Sequence, residues 1–166
     1  MKRFLLPYAL SISAGALAQL TPFEIGAGYA QSGSFDKDTG GRGRIEGLSL
    51  SLSQSVLRLP LAGEVRLGAS GILNGSDGSL VRVFGRYRSP SGGPNGGYGI
   101  LGVWWARAEG KDGAFDTKDG TGVDVGIGLP LGGVLPGLPS VSLELISHQG
   151  NVAQPRGWSA VASFRL

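Results

Sequence analysis

The stretch from Leu80 to Arg88, LVRVFGRYR, constrains the fold of this chain more than any other. In an extended strand, successive side chains point to opposite faces. One face of this stretch is therefore apolar, and the other carries the guanidinium groups of Arg82, Arg86 and Arg88. Arginine keeps its charge in proteins, so an enclosed arginine face requires carboxylates from elsewhere in the chain. The stretch thus predicts a closed sheet in which acidic side chains of other strands face these arginines.

Seven further segments show the same two-residue alternation, and none of the eight keeps the 3.6-residue period of a helix. An even number of strands in succession favours an all-β fold, an eight-stranded antiparallel up-and-down β-barrel that spans a membrane. One of these segments, Gly97–Ala108, is apolar on both faces, so its alternation does not fix which face is inside. The predicted strands are Phe23–Ala30, Arg44–Leu57, Glu64–Leu73, Leu80–Arg88, Gly97–Ala108, Gly122–Leu129, Pro139–Ser147 and Gly157–Leu166.

The two faces of the predicted strands carry different side chains. We expect the charged set to face the barrel interior as a network of ion pairs: Glu24, Glu64, Arg66, Arg82, Arg86, Arg88, Arg107, Asp124, Glu144 and Arg165. We expect the apolar set to face lipid: Leu48, Leu50, Leu52, Val65, Leu67, Val81, Val83, Val123, Val125, Ile127, Val141, Leu143, Leu145 and Phe164. Side chains about fill the interior of an eight-stranded barrel, so we interpret the charged network as a structural plug.

Alternation alone does not decide which face meets water, because a soluble barrel shows the same pattern with its apolar face inside. The composition of the strands favours lipid outside. The lysines beyond the N-terminal segment, Lys37, Lys111 and Lys118, all fall in predicted loops, whereas exposed strands of soluble proteins usually carry mixed charges. Strand aromatics lie near segment ends, as in the interfacial girdles of membrane barrels.

The N-terminus has the features of a secretory signal peptide. A positive start, Met1-Lys2-Arg3, precedes a short apolar run that ends in Ala16-Leu17-Ala18. We therefore expect residues 1–18 to be a cleaved signal peptide and residues 19–166 to form a single β-barrel domain. Cleavage removes Lys2 and Arg3 and lowers the net charge from +3 to +1, which argues against nucleic acid as a partner. The chain has no cysteine, which excludes a disulfide scaffold and a thiolate metal site.

The connections between the predicted strands alternate in chemistry. The Asp and Lys residues of the connections all fall in every second connection, the set Gln31–Gly43, Asn74–Ser79, Glu109–Thr121 and His148–Arg156. The others consist mainly of Pro, Gly, Ser and Leu: Arg58–Gly63, Ser89–Gly96 and Pro130–Ser140. This asymmetry is typical of charged external loops at one end of a membrane barrel and tight periplasmic turns at the other.

With these features the chain resembles the small eight-stranded bacterial outer-membrane barrels of the OmpA/OmpX type. The resemblance covers the whole chain after the signal peptide, as architecture rather than as a sharp motif. The segment from Trp158 to Leu166 is similar to the C-terminal strand signal of such barrels, although that signal usually ends in an aromatic residue and here Phe164 stands two residues before the end. The resemblance implies a location in the bacterial outer membrane, contact with its lipid, and recognition by the outer-membrane assembly machinery through the C-terminal strand.

The sequence provides no catalytic, cofactor-binding or metal-ligating constellation, and we expect a protein that is not an enzyme. His148, the single histidine, falls in a predicted connection, so we expect an exposed loop side chain. Ser147 would point the opposite way in a strand and is poorly placed as a nucleophile for it. The aspartate-rich stretches Asp36–Gly40 and Asp112–Asp119 lack the full calcium-loop pattern.

Three functions are consistent with these observations. The first is a structural or surface-interaction role through the charged external loops, which a surface ligand would contact. The second is a narrow pore or small-ligand transport barrel. The third is a soluble secreted β-barrel that binds a ligand. The direction in which the arginine face points separates the third from the other two.

Overall fold

The chain forms a closed barrel of eight antiparallel strands. The computed structural model describes residues 23–36, 42–59, 62–90, 96–113, 115–132, 141–150 and 156–166. Each strand pairs with the next in sequence, and β8 pairs with β1 to close the barrel. The strands are β1 (Phe23–Asp36), β2 (Arg42–Leu59), β3 (Gly63–Ile72), β4 (Gly78–Arg88), β5 (Tyr98–Gly110), β6 (Lys118–Pro130), β7 (Val141–Gly150) and β8 (Gly157–Arg165). The predicted fold class is confirmed, whereas the predicted signal peptide lies outside the described residues.

The two ends of the barrel differ. Phe23 and Leu166 lie at one end, joined by a 2.9 Å backbone hydrogen bond, and we call it the terminal end. At the opposite end, which we call the loop end, β1, β3, β5 and β7 end and β2, β4, β6 and β8 begin. Across the described ranges, no helix has the length and apolarity needed to cross a bilayer.

Two hairpins extend further at the loop end than the sequence predicted. β1 continues to Asp36 instead of ending at Ala30, and β6 begins at Lys118 instead of Gly122. The register of β1 on β2 shifts between Gln31 and Ser34, which interrupts the alternation on which the prediction rested. At the start of β6 the outward positions are polar, so the apolar signal that marks a strand in lipid is absent there. The first and third loop-end connections are consequently shorter than predicted.

The apolar face of the strands points outward, and the arginine face points inward. On the outer surface Leu50 is 46 % exposed, Leu67 53 % and Val125 50 %. Arg82 and Glu144 are 4 % and 6 % exposed and lie inside the barrel. This sidedness is opposite to that of a soluble barrel, in which large apolar side chains converge on the centre.

The outer apolar surface forms a band. On β2 it runs from Leu48 to Leu57, both exposed. Nine residue steps of about 3.4 Å on a strand tilted by about 40° rise roughly 23 Å, close to the roughly 25 Å band of outer-membrane barrels. Exposed aromatics border the band toward both ends: Tyr29, Trp105 and Trp158 toward the loop end, and Tyr87 and Phe164 toward the terminal end.

The structure places two residues differently from the sequence prediction, Arg107 and Val141. Arg107 was expected inside but projects outward, because β5 turns Tyr98, Ile100 and Trp104 to the interior, which places Arg107 on the opposite face. Val141 occupies a position of outward parity but is only 8 % exposed, so it is covered rather than open to the surroundings.

Glycines inside the barrel provide the space for its large interior side chains. Gly128 pairs directly with Tyr98, and Gly122 pairs with Trp104 on the neighbouring strand. A β-carbon at either glycine would overlap the ring of its partner. A β-carbon at Gly68 would lie 2.7 Å from the Phe84 ring on β4. Cross-strand pairs of glycine and aromatic residue are thus how this narrow lumen is filled.

We predict that Gly128→Ala lowers the free energy of unfolding by about 1–3 kcal/mol, because the added methyl group forces the Tyr98 ring from its place. Gly99→Ala is the matched control on the outer face, where the nearest heavy atom to an added β-carbon is the Ser89 Oγ at 3.6 Å. Urea unfolding of both variants in detergent measures the difference. Equal stability of the two variants would contradict the glycine–ring packing described above.

Candidate functional site

The charged interior of the barrel divides into two groups of side chains. The first, which we call the terminal-end network, consists of Glu24, Glu64, Arg66, Arg88, Glu144 and Arg165. The second, which we call the mid-barrel cluster, consists of Arg82, Arg86, Asp124, His148 and Ser159. Nine of the ten residues expected in the interior network belong to one of these groups, and Arg107 does not.

Arg88 is the centre of the terminal-end network. Its guanidinium donates two hydrogen bonds to the carboxylate of Glu24, at 2.5 and 2.9 Å, in the bidentate arrangement that fits this pair of groups. It also pairs with Glu144 and, at 3.3 Å, with Glu64. One guanidinium on β4 therefore links carboxylates of β1, β3 and β7 across the lumen.

Arg66 and Arg165 complete the charge balance of this network. Arg66, 1 % exposed, lies 3.3 Å from Glu24 and 3.1 Å from Glu64, and it donates to Ser53 Oγ at 3.0 Å. Arg165 lies at the rim, 38 % exposed, and donates to Glu64 at 3.1 Å. The three guanidinium groups of the network thus face three carboxylates, which compensates the burial of the enclosed charges, and the exposed Arg58 also lies 3.5 Å from Glu64.

Tyr98 fixes the remaining carboxylate. Its hydroxyl donates to Glu144 Oε1 at 2.8 Å, and its ring lies 5.2 Å from the Arg88 guanidinium. The ring can occupy this position because Gly128 stands across from it. The packing of the barrel and the geometry of its ion pairs are therefore coupled through one side chain.

The mid-barrel cluster is built around Asp124, which is fully buried. Its Oδ2 accepts a 2.6 Å hydrogen bond from Arg86 Nε, and its Oδ1 lies 2.6 Å from His148 Nδ1. The other ring nitrogen, Nε2, lies 3.0 Å from both Arg82 Nη1 and Ser159 Oγ. Nδ1 donates to the carboxylate in the tautomer that satisfies these contacts, so Nε2 is the acceptor.

The expectation of an exposed His148 is wrong. β7 continues through Gly150, and His148 points into the lumen at 1 % exposure. Its strand partner across the ladder is Asp124. The parity of Glu144 and His148, four residues apart, is the sequence signal that would have placed both on the inner face.

The order carboxylate, imidazole and hydroxyl in Asp124, His148 and Ser159 has the spacing of a nucleophilic triad. A base must keep its Nε2 lone pair free for the serine proton, but here Arg82 donates to the same lone pair. Ser159 is also buried, at 4 % exposure. The contacts of Asp124, His148 and Ser159 are therefore those of a structural hydrogen-bond network, and His148 is not positioned to act as a base for Ser159. Among the described residues, no group of three or more metal-ligating side chains comes together.

The loop-end part of the lumen is apolar, which the sequence analysis did not predict. A cluster of buried side chains fills it: Ala30, Ile45, Ile72, Leu80, Phe84, Trp104, Ala106, Ala108 and Phe115. Trp104 is anchored by a 3.1 Å hydrogen bond from its indole nitrogen to the Val123 carbonyl. The lumen therefore carries apolar side chains toward the loop end and ion pairs at the terminal end, and the mid-barrel cluster interleaves with the apolar side chains on β4, where Phe84 lies between Arg82 and Arg86.

The loop-end surface carries its own polar contacts. Arg107 and Asp119, both about half-exposed, form a two-point ion pair at 2.7 and 2.8 Å. The 73–77 connection is held down by Asp77, whose Oδ2 accepts from the Arg44 backbone nitrogen at 2.8 Å. The backbone carbonyl of Asp77 accepts from Lys111 at 2.9 Å. This connection thus bridges the two extended hairpins.

We predict that Arg88→Met destabilises the folded barrel by about 3–5 kcal/mol, because Glu24 and Glu144 lose their central counter-charge inside the lumen. Arg107→Met, which breaks an exposed ion pair, leaves the unfolding midpoint nearly unchanged. Denaturant unfolding in detergent compares the two variants. A stability loss for Arg107→Met as large as that for Arg88→Met would contradict this account.

Comparison with proteins of known structure shows which fold the chain has. No protein-family model and no curated protein matches the sequence. The structure is similar to Neisserial surface protein A, with a TM-score of 0.52 and 17 % identity over 87 % of this chain and 96 % of that chain. It is similar to the N-terminal β-barrel domain of OprF from Pseudomonas aeruginosa (TM-score 0.51, 13 % identity, 87 % and 97 % covered). It is also similar to Ail, the attachment invasion locus protein of Yersinia pestis (TM-score 0.50, 16 % identity, 88 % and 99 % covered). The chain therefore has the fold of the small eight-stranded outer-membrane β-barrels, as the sequence resemblance predicted.

Proposed function

We propose that this protein is an integral barrel of the bacterial outer membrane, with a plugged lumen and a role as a structural or surface-contact protein. The observation that carries the proposal is the sidedness of the barrel. Large apolar side chains form the outer band, and the buried charges lie inside in pairs. A continuous outer apolar surface of this extent is stable only against hydrocarbon.

The interior supports a plug rather than a pore. An apolar cluster occupies the loop end of the lumen, and the terminal-end network spans it from β1 to β7 through Arg88. An ion that crossed the lumen would have to separate these pairs and then pass an apolar layer. Both steps carry large free-energy costs.

The loop end supports surface contact. The extended hairpins β1–β2 and β5–β6 lie on opposite sides of the barrel and carry outward charged residues beyond the apolar band, including Arg44, Glu46, Arg107 and Asp119. Polar strand ends beyond the band would stand in water outside the cell. A surface ligand would meet these hairpins first. The similarity to Ail, whose name refers to attachment and invasion, is consistent with such a role.

We expect the protein to fractionate with outer-membrane lipid and to depend on detergent once extracted. A closed ladder has no free edge strand, so the barrel should stay folded in cold SDS and migrate differently on gels after boiling. Gel migration of boiled and unboiled membrane fractions tests this. Recovery of a monomer in plain buffer without detergent would contradict the proposal.

We expect the purified barrel to show negligible single-channel conductance in planar bilayers, because its lumen is closed at two levels. The control is the same bilayer exposed to detergent alone. Reproducible current steps that appear only with protein would overturn the plug and favour the narrow-pore alternative.

A further inference from the structure

A groove of about 900 Å³ crosses the outer face of the barrel from β5 to β1. Its two ridges are outward side chains of the apolar band, Ile127 and Leu145 on one side and Leu129 and Leu143 on the other. These four side chains are between 45 % and 67 % exposed. The groove therefore lies outside the lumen, within the surface that faces hydrocarbon.

The register of the strands explains the shape of the groove. Its two ridges are neighbouring outward rows of the ladder across β6 and β7. The row between them pairs Gly128 with Glu144 and Glu144 with Val161, and the last two of these side chains point into the lumen. Only backbone therefore forms the floor between the ridges, which makes the groove an elongated trough across the strands.

The trough widens on β8 and β1, where the ridges continue as small side chains. The outward positions there are Ala160, Ala162 and Ala27. Tyr29 is the ladder neighbour of Ala160 on β1, and its ring packs 5.6 Å from the ring of Trp158. This aromatic pair borders the wide part of the trough on its loop-end side.

The groove runs from the terminal-end border of the band toward its middle. Leu129 is the last residue but one of β6, at the terminal end, whereas Ala27 lies four residues beyond Phe23 on β1. Four interstrand steps of about 4.8 Å, on strands tilted by about 40°, raise the trough by roughly 12 Å between β5 and β1. This rise is about half of the roughly 25 Å apolar band, which is the depth of one leaflet.

We propose that one acyl chain of a phospholipid in the terminal-end leaflet occupies this groove as a specific guest, an inference that rests on the proposed membrane location. The trough is continuous with the lipid-facing band, begins at its border and ends near its middle, which is the path of an acyl chain. A chain in the trough contacts both ridges and the floor, so it gains dispersion contacts that a convex barrel wall does not offer.

The test uses the wild-type barrel in phosphatidylcholine vesicles that contain a phospholipid with a photoreactive diazirine in the middle of one acyl chain. After illumination, mass spectrometry of the digested protein locates the labelled residues. We expect the groove residues of β7 and β8 to carry several-fold more label than Val83 and Val103, which are exposed on the outer faces of β4 and β5. This wild-type distribution decides the question if a groove variant does not insert.

Ala162→Phe fills the groove and should lower the label on β7 and β8 to the level of Val83. Ala69→Phe, at an outward alanine of β3 away from the groove, is the matched control and should leave the labelling unchanged. Equal label on all outer strands of the wild-type barrel would overturn the specific site but support the membrane location. A groove protected from label would overturn it in favour of a second copy or another protein on this face. An outer band without any label would contradict the membrane location itself.

Discussion

The structure depends on the burial of guanidinium groups that cannot lose their charge. Arg66, Arg86 and Arg88 are enclosed by a barrel too narrow to keep them in bulk water, so each requires a carboxylate brought from another strand. Glu24 and Glu144 reach Arg88 across the lumen from β1 and β7, and Asp124 reaches Arg86 from β6 in the observed register. Ion pairing inside the barrel and apolar contact outside it therefore both require the same face of the sheet to point inward.

Much of the fold could be predicted from the sequence because the two-residue alternation and the positions of the charged residues indicate the same inner face of the strands. The arginines on one parity of Leu80–Arg88 required acidic partners, and Glu24, Glu144 and Asp124 stood at the polar parity of other segments. The eight strands followed from the two-residue period. The choice between lipid and water followed from the scarcity of lysine on the strand faces.

The facing of β5 and the end of β7 could not be predicted from the sequence of either segment alone. The facing of β5 was undetermined because both of its faces are apolar, and only the glycine opposite Trp104 on β6 makes the inward position possible. Arg107 was misplaced for that reason. His148 was misplaced because the end of β7 was set by where the apolar signal faded. Beyond the apolar band, outward strand positions are polar, and a strand there has the composition of a loop.

Closure of β8 on β1 has a consequence for the order of assembly. Glu24 meets Arg88 at a separation of 64 residues, and Arg165 meets Glu64 at a separation of 101. A nascent chain that lacks its last hairpin would lack Glu144, one of the carboxylates that pair with Arg88, and its sheet would have two open edges. Contacts of such long range form late and slowly. The barrel therefore gains little stability from partial completion, and its synthesis must finish before Arg88 is surrounded by all of its carboxylates.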